Sequence, residues 1–455
     1  MQEILLYLLG VLVMVLGLGL SIGLHEIGHL VPAKLFGVRV KQYMIGFGRT
    51  LWSRKRGETE YGIKMLPLGG YISMTGMYPP KPVDEGAADS EAEEAELIPA
   101  ETDLAAPAEK PKGIVKSIID DDGEVVDPRR SFYALSVPKK IVIMVGGPLM
   151  NLVLGFVFFA ILISGIGIMG ASTTVGSVSE CLKAPDSNSR VCESGDTPAP
   201  AAVAGLRPGD KILTINGAAI DNWTQVRDTI AANPGNILQL EYEREGTRKT
   251  TEIKPFLAQR AKFDSSERPV LDGNGKQVYE NVGMLGLSPA YERQHRPITE
   301  VPRYVGDQAA AVTNMILHLP QRMIDVWNAA FSEQKRDANG PISVVGVGRI
   351  AGEIASHEQV PALDKVAAMV GILAGLNIAL FIFNLIPLLP LDGGHVAGAL
   401  FEALRRAWAR LRGKPDPGPV DTSKLLPLTL AVVVVLGAMS VLLMYADIVK
   451  PITLG

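Results

Sequence analysis

The chain has 455 residues, of which 47% are hydrophobic and 20% are charged, and its formal net charge is -4 at pH 7. The length allows two or three domains, and the apolar balance favours a membrane protein. The slightly negative charge gives no indication of nucleic-acid binding, so no nucleic acid is expected among the partners.

Four stretches are apolar and long enough to cross a bilayer of roughly 30 Å. They run from about residue 4 to 24, 141 to 169, 366 to 388 and 425 to 445. The first could instead be a signal peptide, but Glu3 stands where a basic segment would be expected. No cleavage site of small residues is evident either, so we predict an uncleaved span.

The first span ends in the sequence GLHEIGHL at residues 23 to 30, which places ionisable side chains at membrane depth. On a helix, His25 and His29 lie four residues apart on one face, so both imidazoles can bind one metal ion. Glu26 beside them can take a proton from water, as in zinc proteases. Two histidines satisfied by backbone carbonyls would explain neither the glutamate nor the depth.

Residues 39 to 77 are rich in β-branched and aromatic residues with interspersed glycines, a pattern that predicts several short strands and turns. Their apolar content suggests that part of this segment touches or dips into the membrane, where the backbone must be hydrogen-bonded or line a wet cavity.

Residues 79 to 112 are acidic and rich in alanine and proline. They predict a disordered cytoplasmic insertion, because such a composition cannot bury a core.

Residues 172 to about 260 have the pattern of a small β-rich domain. A predicted turn at Arg207 to Asp210 precedes a strand at Lys211 to Ile215, a helix begins at about Thr224, and a hairpin follows. This stretch resembles a PDZ domain, a fold that binds an extended peptide at a sheet edge. A generic β-domain is the alternative.

An amphipathic pattern between residues 298 and 330 then predicts a helix that rests on the membrane surface or on the PDZ-like domain.

Basic residues are distributed unevenly around the spans, and Arg and Lys are enriched in cytoplasmic loops. They cluster after the first span and after the third, so both segments should face the cytoplasm. The amino terminus and residues 171 to about 360 should then face outside. The basic residues are Arg39, Lys41, Arg49, Arg54, Lys55, Arg56 and Lys64 in the first segment and Arg405, Arg406, Arg410, Arg412 and Lys414 in the second.

The chain has two cysteines, Cys181 and Cys192, and both lie in the region that is predicted to face outside. A bridge between them would close a short loop in an oxidising compartment, where disulfides persist. Two unrelated free thiols are the alternative, and we predict the bridge.

A catalytic zinc site takes three protein ligands and keeps one position open. The first and third spans cross the membrane in the same direction, so their carboxyl ends reach the same depth. The sequence NLIPLLPLDGGH at residues 384 to 395 lies at the end of the third span and supplies two candidates, Asp392 and His395. A carboxylate and an imidazole both suit zinc, and composition does not choose between them.

Six short motifs are spread along the chain: HEIGH at 25–29, IGFG at 45–48, LPLGGYISM at 66–74, GGPLMN at 146–151, GPIS at 340–343 and NLIPLLPLDGGH at 384–395. With the PDZ-like stretch, they resemble the site-2 protease family of intramembrane zinc metalloproteases, in particular its regulator of sigma-E protease branch. The chain departs from the best-known branch in having one PDZ domain instead of two and a longer acidic insertion. Those departures concern regulation and partner choice.

The resemblance implies that Asp392 is the third ligand of a Zn²⁺ ion bound by His25 and His29, with His395 as a neighbour. It also implies that Asn384 holds the substrate backbone or stabilises charge in the transition state. A hydrogen bond inside a helix is the alternative for Asn384.

The resemblance further implies that residues 43 to 74 form a membrane-re-entrant β-element to which the substrate adds as a strand. Gly46 and Gly48 would permit close approach of the substrate backbone. Ordinary turn glycines are the alternative for these two positions.

The predicted function is hydrolysis of peptide bonds within transmembrane segments by a zinc metalloendopeptidase. The substrates would be single-span membrane proteins such as membrane-bound anti-sigma factors, and also signal-peptide remnants. We expect a monomer in the bacterial plasma membrane, in contact with the lipid bilayer, with its active site toward the cytoplasmic side. The rival functions, a non-catalytic scaffold and a zinc transporter, leave Glu26 without a role.

The predicted fold is an α-helical polytopic membrane protein with about four transmembrane helices, a membrane-re-entrant β-element and an extracytoplasmic, mostly β PDZ domain. The predicted segments are 1–38 for the first transmembrane helix with the HExxH motif, 39–78 for the re-entrant element, 79–131 for the acidic insertion, 132–170 for the second transmembrane helix, 171–290 for the PDZ domain, 291–362 for an amphipathic helical linker, 363–398 for the third transmembrane helix, 399–423 for a basic cytoplasmic loop, and 424–455 for the fourth transmembrane helix and tail.

Overall fold

The chain divides into two compact units, one formed by residues 1–166 and 297–455 and the other by residues 167–296. The predicted disordered insertion lies outside the described residues over 79–112, but the predicted segment 79–131 is too long, because Ile118–Ile119 and Val125–Val126 form strands and Pro128–Arg130 forms a 3₁₀ helix. The computed structural model describes residues 1–77, 118–119, 125–183, 191–193, 195–262, 270, 272, 276–334, 336–337, 340–420 and 422–452.

Helices make up most of the first unit, and strands make up most of the second. In chain order the helices are α1 (Gln2–Leu35), α2 (Val137–Ala160), α3 (Pro200–Val203), α4 (Trp223–Ala231), α5 (Val301–Leu317), α6 (Leu319–Phe331), α7 (Val344–Ser356), α8 (Ala362–Asn384), α9 (Asp392–Leu411) and α10 (Leu426–Val449). The strands are β1 (Val40–Arg56), β2 (Thr59–Met74), β3 (Ile118–Ile119), β4 (Val125–Val126), β5 (Ile168–Val178), β6 (Cys181–Leu182), β7 (Thr197–Pro198), β8 (Lys211–Ile215), β9 (Ala218–Ala219), β10 (Leu238–Arg244), β11 (Thr247–Ile253), β12 (Phe256–Ala261), β13 (Tyr279–Met284) and β14 (Leu287–Gln294).

Four helices in the described part of the chain are long and apolar enough to cross a membrane, in agreement with the four predicted spans. They are α1, α2 with its π-helical extension Ile161–Ile166, α8 and α10. Helix α1 extends beyond the apolar stretch 4–24 to Leu35 and lies within the predicted segment 1–38. The HEIGH motif therefore lies inside a continuous helix, which is the condition for His25 and His29 to share one face.

The third span is shorter than the predicted segment 363–398. Helix α8 ends at Asn384, because Pro387 and Pro390 follow and proline cannot donate the backbone hydrogen bond that continues a helix. The predicted basic loop at 399–423 is wrong for its first half, since α9 continues to Leu411. The many arginines there occupy the polar side of an amphipathic helix.

The segment after the first helix forms two long strands instead of several short ones. Strands β1 and β2 pair antiparallel, and Tyr43 lies opposite both Ile72 and Tyr61. The first half of β1 therefore lies between the two halves of β2, so the pair bends into a small curled sheet. Between residues 298 and 330, the predicted amphipathic helix is divided into α5 and α6, with Pro320 in the first turn of α6.

Helix α1 contacts several other helices of its unit through glycine. A Cβ on Gly10 would lie 2.5 Å from the Ala351 carbonyl oxygen of α7. A Cβ on Gly28 would lie 2.3 Å from the Gly146 carbonyl oxygen of α2. Small residues of this kind let membrane helices approach at backbone distance. Helix α1 is therefore packed closely against both α2 and α7.

The second unit is built on a sheet with the strand order β11-β10-β8-β5-β14. Strand β8 and the following hairpin β10–β11 match the strands and hairpin predicted there, and α4 begins one residue before the predicted start. Ile212, Leu238, Leu240 and Val226 form the centre of the core and are fully buried. A disulfide joins Cys181 to Cys192, which confirms the predicted bridge.

A buried ion pair holds the start of β8 in this unit. The Arg244 guanidinium donates to both carboxylate oxygens of Asp210 at 2.7 and 2.8 Å, and the Arg207 backbone N–H donates to one of them. Burial raises the pKa of Asp210, but these donors outweigh burial and hold the pKa below its usual range. The paired carboxylate therefore stays ionised and fixes the predicted turn at 207–210.

Candidate metal centre

Three ligand-type atoms converge in the first unit. His25 Nε2 and His29 Nε2 lie 3.2 Å apart, and each lies 3.3 Å from Asp392 Oδ2. Both histidines are buried, and Asp392 is largely covered. The structure thus brings together two side chains of α1 and the first residue of α9, and of the two candidates at the end of the third span it is Asp392 that joins the histidines.

A tight backbone turn returns Asp392 to α1. Gly393 and Gly394 follow it, and both are buried. A Cβ on Gly393 would lie 2.4 Å from the Ile386 carbonyl oxygen, and one on Gly394 would lie 2.5 Å from the Leu389 nitrogen. Only glycine allows this approach. The two glycines after Asp392 are therefore needed to bring its carboxylate close to the histidines of α1.

The ligand atoms fit a zinc ion. Ligands at about 2.0–2.1 Å from zinc in tetrahedral geometry are about 3.4 Å apart, close to the observed separations. Asp392 Oδ2 is buried and accepts no hydrogen bond from the described residues. Burying a carboxylate oxygen without a donor is costly unless the group is protonated or pairs with a cation, and two imidazoles with one carboxylate form a donor set that zinc accepts. The residues present therefore fit a zinc ion.

The imidazoles are also oriented for metal binding. His29 Nδ1 lies 2.7 Å from the Ile143 carbonyl oxygen of α2. Because a carbonyl only accepts, Nδ1 carries the proton and Nε2 keeps its lone pair for the metal. This second contact fixes the ring of His29 on the side of Asp392.

Asn151 of α2 holds the other imidazole. Its side-chain amide lies 3.0 Å from His25 Nδ1, and its Oδ1 atom as placed is buried without a donor. The two ends of an amide are interchangeable in position, so the hydrogen-bonding network decides which one faces the ring. Turning Oδ1 toward the ring gives it the Nδ1–H of His25 and frees Nε2 for the metal. Asn151 then plays the same part for His25 as the Ile143 carbonyl does for His29.

Glu26 lies where two cavities meet. One cavity, of about 280 Å³, is lined by the three ligand residues and by His395. The other, of about 310 Å³, has mainly apolar walls such as Leu18 and Leu380. Glu26, His25, Gly70 and Asn384 line both. Glu26 and Asn384 therefore share the space in which a substrate backbone and a water molecule would meet the ligand cluster.

The predicted glycines Gly46 and Gly48 lie away from this cluster and are not among the residues that line either cavity. Both have positive φ, at 93° and 85°. A Cβ on Gly46 would lie 2.7 Å from the Leu66 carbonyl oxygen, so this glycine permits a close approach within the sheet itself. His395 lines the polar cavity but does not belong to the ligand cluster.

Sequence reasoning did not single out Asn151, Gly69 or Gly70 as site residues. Gly69 and Gly70 line the apolar cavity, and a Cβ on Gly70 would lie 2.9 Å from Glu26 Cγ. Signals existed for both features. A lone amide in an apolar span, as at Asn151, usually has a polar partner, and a double glycine inside a strand marks close approach.

Residues 13–415 of this chain match the model of peptidase family M50. Zinc metalloprotease Rip1 of Mycobacterium tuberculosis (strain ATCC 25618 / H37Rv) is 30% identical over 458 residues, which cover 99% of each chain. Rip1 of Mycolicibacterium smegmatis is 30% identical over 460 residues and 98% of each chain. Zinc metalloprotease RasP of Geobacillus kaustophilus is 25% identical over 433 residues, 85% of this chain and 88% of RasP.

Among solved structures, the PDZ domain of an SdrC-like protein from Listeria monocytogenes is similar to part of the chain. The match covers 27% of this chain and 92% of that domain, with 18% sequence identity and a TM-score of 0.16. The assignment of residues 171–290 as a PDZ domain stays a prediction.

Proposed function

Because this chain belongs to peptidase family M50, the site-2 protease family, and is a zinc metalloendopeptidase, we propose that it hydrolyses peptide bonds within transmembrane segments of other proteins. One observation carries the proposal. Two imidazole nitrogens and a carboxylate oxygen converge beside Glu26, and they do so on helices that belong to an apolar, membrane-type unit. Substrates that reach such a centre must themselves enter the membrane.

We assign His25, His29 and Asp392 as the ligands of Zn²⁺, with Asn151 and the Ile143 carbonyl as the groups that orient the two imidazoles. When bound there, zinc lowers the pKa of a water molecule toward neutrality and polarises the carbonyl of the scissile bond. All other steps fall to side chains of this chain.

Glu26 is the general base and then the general acid. It takes the proton from the attacking water and delivers it to the leaving amide nitrogen. Asn384 lies at the junction of the two cavities, where its side-chain amide can donate to the substrate backbone or to the oxygen on which charge develops. A hydrogen bond within the helix end would be the alternative for Asn384.

The substrate must be extended before it can react, because a helix hides its carbonyls in its own hydrogen bonds. The β2 segment Gly70–Ser73 pairs with β1 on one side, and no other strand among the described residues pairs with its second side. This open edge lies beside Glu26, so an unwound substrate can add to it as a strand. In this proposal β1 and β2 form the re-entrant element, and the positive φ of Gly46 and Gly48 bends β1 for that approach.

The proposed location is the bacterial plasma membrane, with the amino terminus and residues 171–290 outside and the ligand cluster toward the cytoplasmic side. The basic segments after α1 and in α9 support this orientation. Water would reach Glu26 through the polar cavity of about 280 Å³. The enzyme would act as a monomer.

The proposed substrates are single-span membrane proteins such as anti-sigma factors, and signal-peptide remnants. The domain at 171–290, as a PDZ domain, would exclude substrates that still carry a bulky outer domain, so that cleavage follows an earlier cut. A variant that lacks this domain should then cleave both uncut and pre-cut substrate, whereas the full chain should cleave the pre-cut form only. Equal dependence on the first cut in both proteins would reject the gating role.

The main test compares the wild type, Glu26→Gln and Glu3→Gln on a purified single-span substrate. Glu26→Gln should lower the cleavage rate by roughly 100- to 10,000-fold, the usual contribution of a general base, and should retain zinc. Glu3→Gln changes an exposed glutamate of the same helix and should cleave like the wild type. Normal cleavage by Glu26→Gln would reject the mechanism.

A further inference from the structure

Helix α9 presents an apolar stripe to its surroundings. On a helical projection the members of the stripe fall within about a quarter of the circumference, and their side chains are between 56% and 83% exposed. The opposite side of the helix is buried against the protein through Ala399, Glu402 and Ala409. The stripe consists of Leu400, Phe401, Leu404, Trp408 and Leu411.

The side of α9 that lies opposite this stripe is anchored to the protein by ion pairs. The Glu402 carboxylate is buried, and it lies 2.9 Å from Lys140 Nζ at the start of α2 and 3.0 Å from the Arg406 guanidinium. A buried carboxylate held by two cations fixes the rotation of a helix about its axis. The stripe therefore points away from the protein, because a rotation of the helix would break the Glu402 contacts.

Cationic side chains border the stripe. Arg405 and Arg412 flank it on one side and Arg410 on the other, and Lys414 follows the helix. Arg410, Arg412 and Lys414 are exposed, and the Arg412 guanidinium lies 4.4 Å from the Trp408 ring centroid. Large apolar residues with Trp on one face and Arg and Lys beside them are typical of helices that lie in the plane of a membrane interface.

The stripe adjoins a second uncovered apolar surface, because Phe401 belongs both to the stripe and to a cleft beside α10. A cleft of about 550 Å³ separates α9 from α10, and it is lined by Phe401 and Arg405 on one side and by Lys424, Leu425 and Leu428 on the other. Helix α10 is a membrane span whose apolar residues are largely uncovered by the protein. Arg405 donates to the backbone carbonyls of Pro417, Gly418 and Pro419, so the exposed Lys424 is the cation that an acyl chain along α10 would bring near its headgroup.

We propose that α9 is an interfacial helix whose cationic border, together with the cleft between α9 and α10, binds anionic phospholipid. The charge of the border selects an anionic headgroup, and the apolar stripe and cleft accept the acyl chains. This surface lies outside the cleavage machinery and would bind lipid whether or not substrate is present.

The test uses the full chain in nanodiscs of phosphatidylcholine that contain either brominated phosphatidylglycerol or brominated phosphatidylcholine at the same fraction. The chain has four tryptophans, so the emission of Trp408 is obtained as the difference between the wild type and Trp408→Phe. Brominated lipid quenches tryptophan on contact. Trp408 should be quenched by both lipids, and clearly more by the brominated phosphatidylglycerol.

Two charge variants locate the preference. In R410Q/K414Q the preference of Trp408 for phosphatidylglycerol should fall by up to roughly fivefold for each charge removed, as for basic residues near an anionic surface. R54Q/K55Q removes the same net charge from the end of strand β1 and should keep the wild-type preference. Equal quenching by both lipids in the wild type, no quenching by either, or an equal loss in both charge variants would each overturn the proposal.

Discussion

The first and last membrane helices look alike as sequences but differ in their surroundings. Both α1 and α10 are long and almost wholly apolar, apart from the motif in α1. Helix α1 buries polar side chains such as Ser21, His25 and Glu26 together with several glycines, whereas α10 buries only Ala446 and Asp447 at its end. Small and polar residues therefore decide which apolar span packs against other helices, because aliphatic residues are equally stable in contact with lipid.

The buried histidines of α1 belong to the proposed metal centre, whereas the buried Asp447 of α10 belongs to an ion pair. In α1, His25 and His29 face the Asp392 carboxylate across a gap that suits a cation. In α10, Asp447 forms an ion pair with Arg336 and accepts from the Ser343 backbone N–H, so its charge is already satisfied. The buried carboxylate of the proposed metal centre thus has an oxygen without a hydrogen-bond donor among the described residues, whereas the buried Asp447 carboxylate is paired and holds the end of α10 in place.

The largest expected effect is the loss of Asp392, the proposed third zinc ligand, which α9 supplies opposite the two histidines of α1. Asp392→Ala should release zinc from the purified protein and abolish cleavage, because two imidazoles alone do not make a stable catalytic zinc site. Atomic absorption of the purified protein measures the zinc content. Asp416→Ala, which removes an exposed carboxylate after α9, should retain zinc and activity. Full zinc content in Asp392→Ala would break the proposed ligand set.

A glycine in α1 and a glycine in α10 together test how closely each helix is packed. Gly28→Ala would place a Cβ 2.3 Å from a backbone carbonyl of α2 and should destabilise the protein by roughly 1–3 kcal/mol. Gly437→Ala in α10 meets no atom within 4 Å and should leave stability unchanged. Thermal unfolding in detergent compares the two variants. Similar melting temperatures for both would show that α1 is no more tightly packed than α10.

Asn151 tests whether α2 orients the metal ligands of α1. Asn151→Leu keeps the size but removes the acceptor for His25 Nδ1–H, and it should weaken zinc binding by about 10- to 100-fold. Asn151→Asp keeps an acceptor oxygen and should bind zinc more tightly than Asn151→Leu. Competition with a zinc chelator of known affinity gives both values. Equal zinc affinity in the two variants would exclude the orienting role.

The smallest expected effect concerns one hydroxyl on each helix. Ser21 is buried and accepts a hydrogen bond from the Asn377 side-chain amide at 2.9 Å. Ser440 is exposed and donates only to its own helix at Leu436. Ser21→Ala should destabilise the protein by about 0.6 kcal/mol, the usual value for a polar contact between membrane helices, and Ser440→Ala should have no measurable effect. A larger cost for Ser440→Ala would contradict the comparison.

The sequence predicted the parts of the metal centre that depend on local pattern. The spacing of His25, Glu26 and His29 implies one helix face, and the parallel direction of two spans brought Asp392 to the same depth. It also predicted strand β8, the hairpin β10–β11 and the disulfide, because alternation and turn residues act over a few neighbouring positions. The short strands expected after α1 were wrong, since the bend that pairs both halves of β2 with β1 depends on contacts between distant residues.

The apolar spans, the zinc-type motif in α1 and the β-rich domain can be read from the sequence, because periodicity and composition encode them locally. Only the tertiary structure decided that Asn151 holds His25, that Gly70 lies against Glu26, and that α9 turns its apolar stripe outward. Each of these is a contact between elements far apart in the chain. Such contacts arise from packing, and no short window of residues contains both partners.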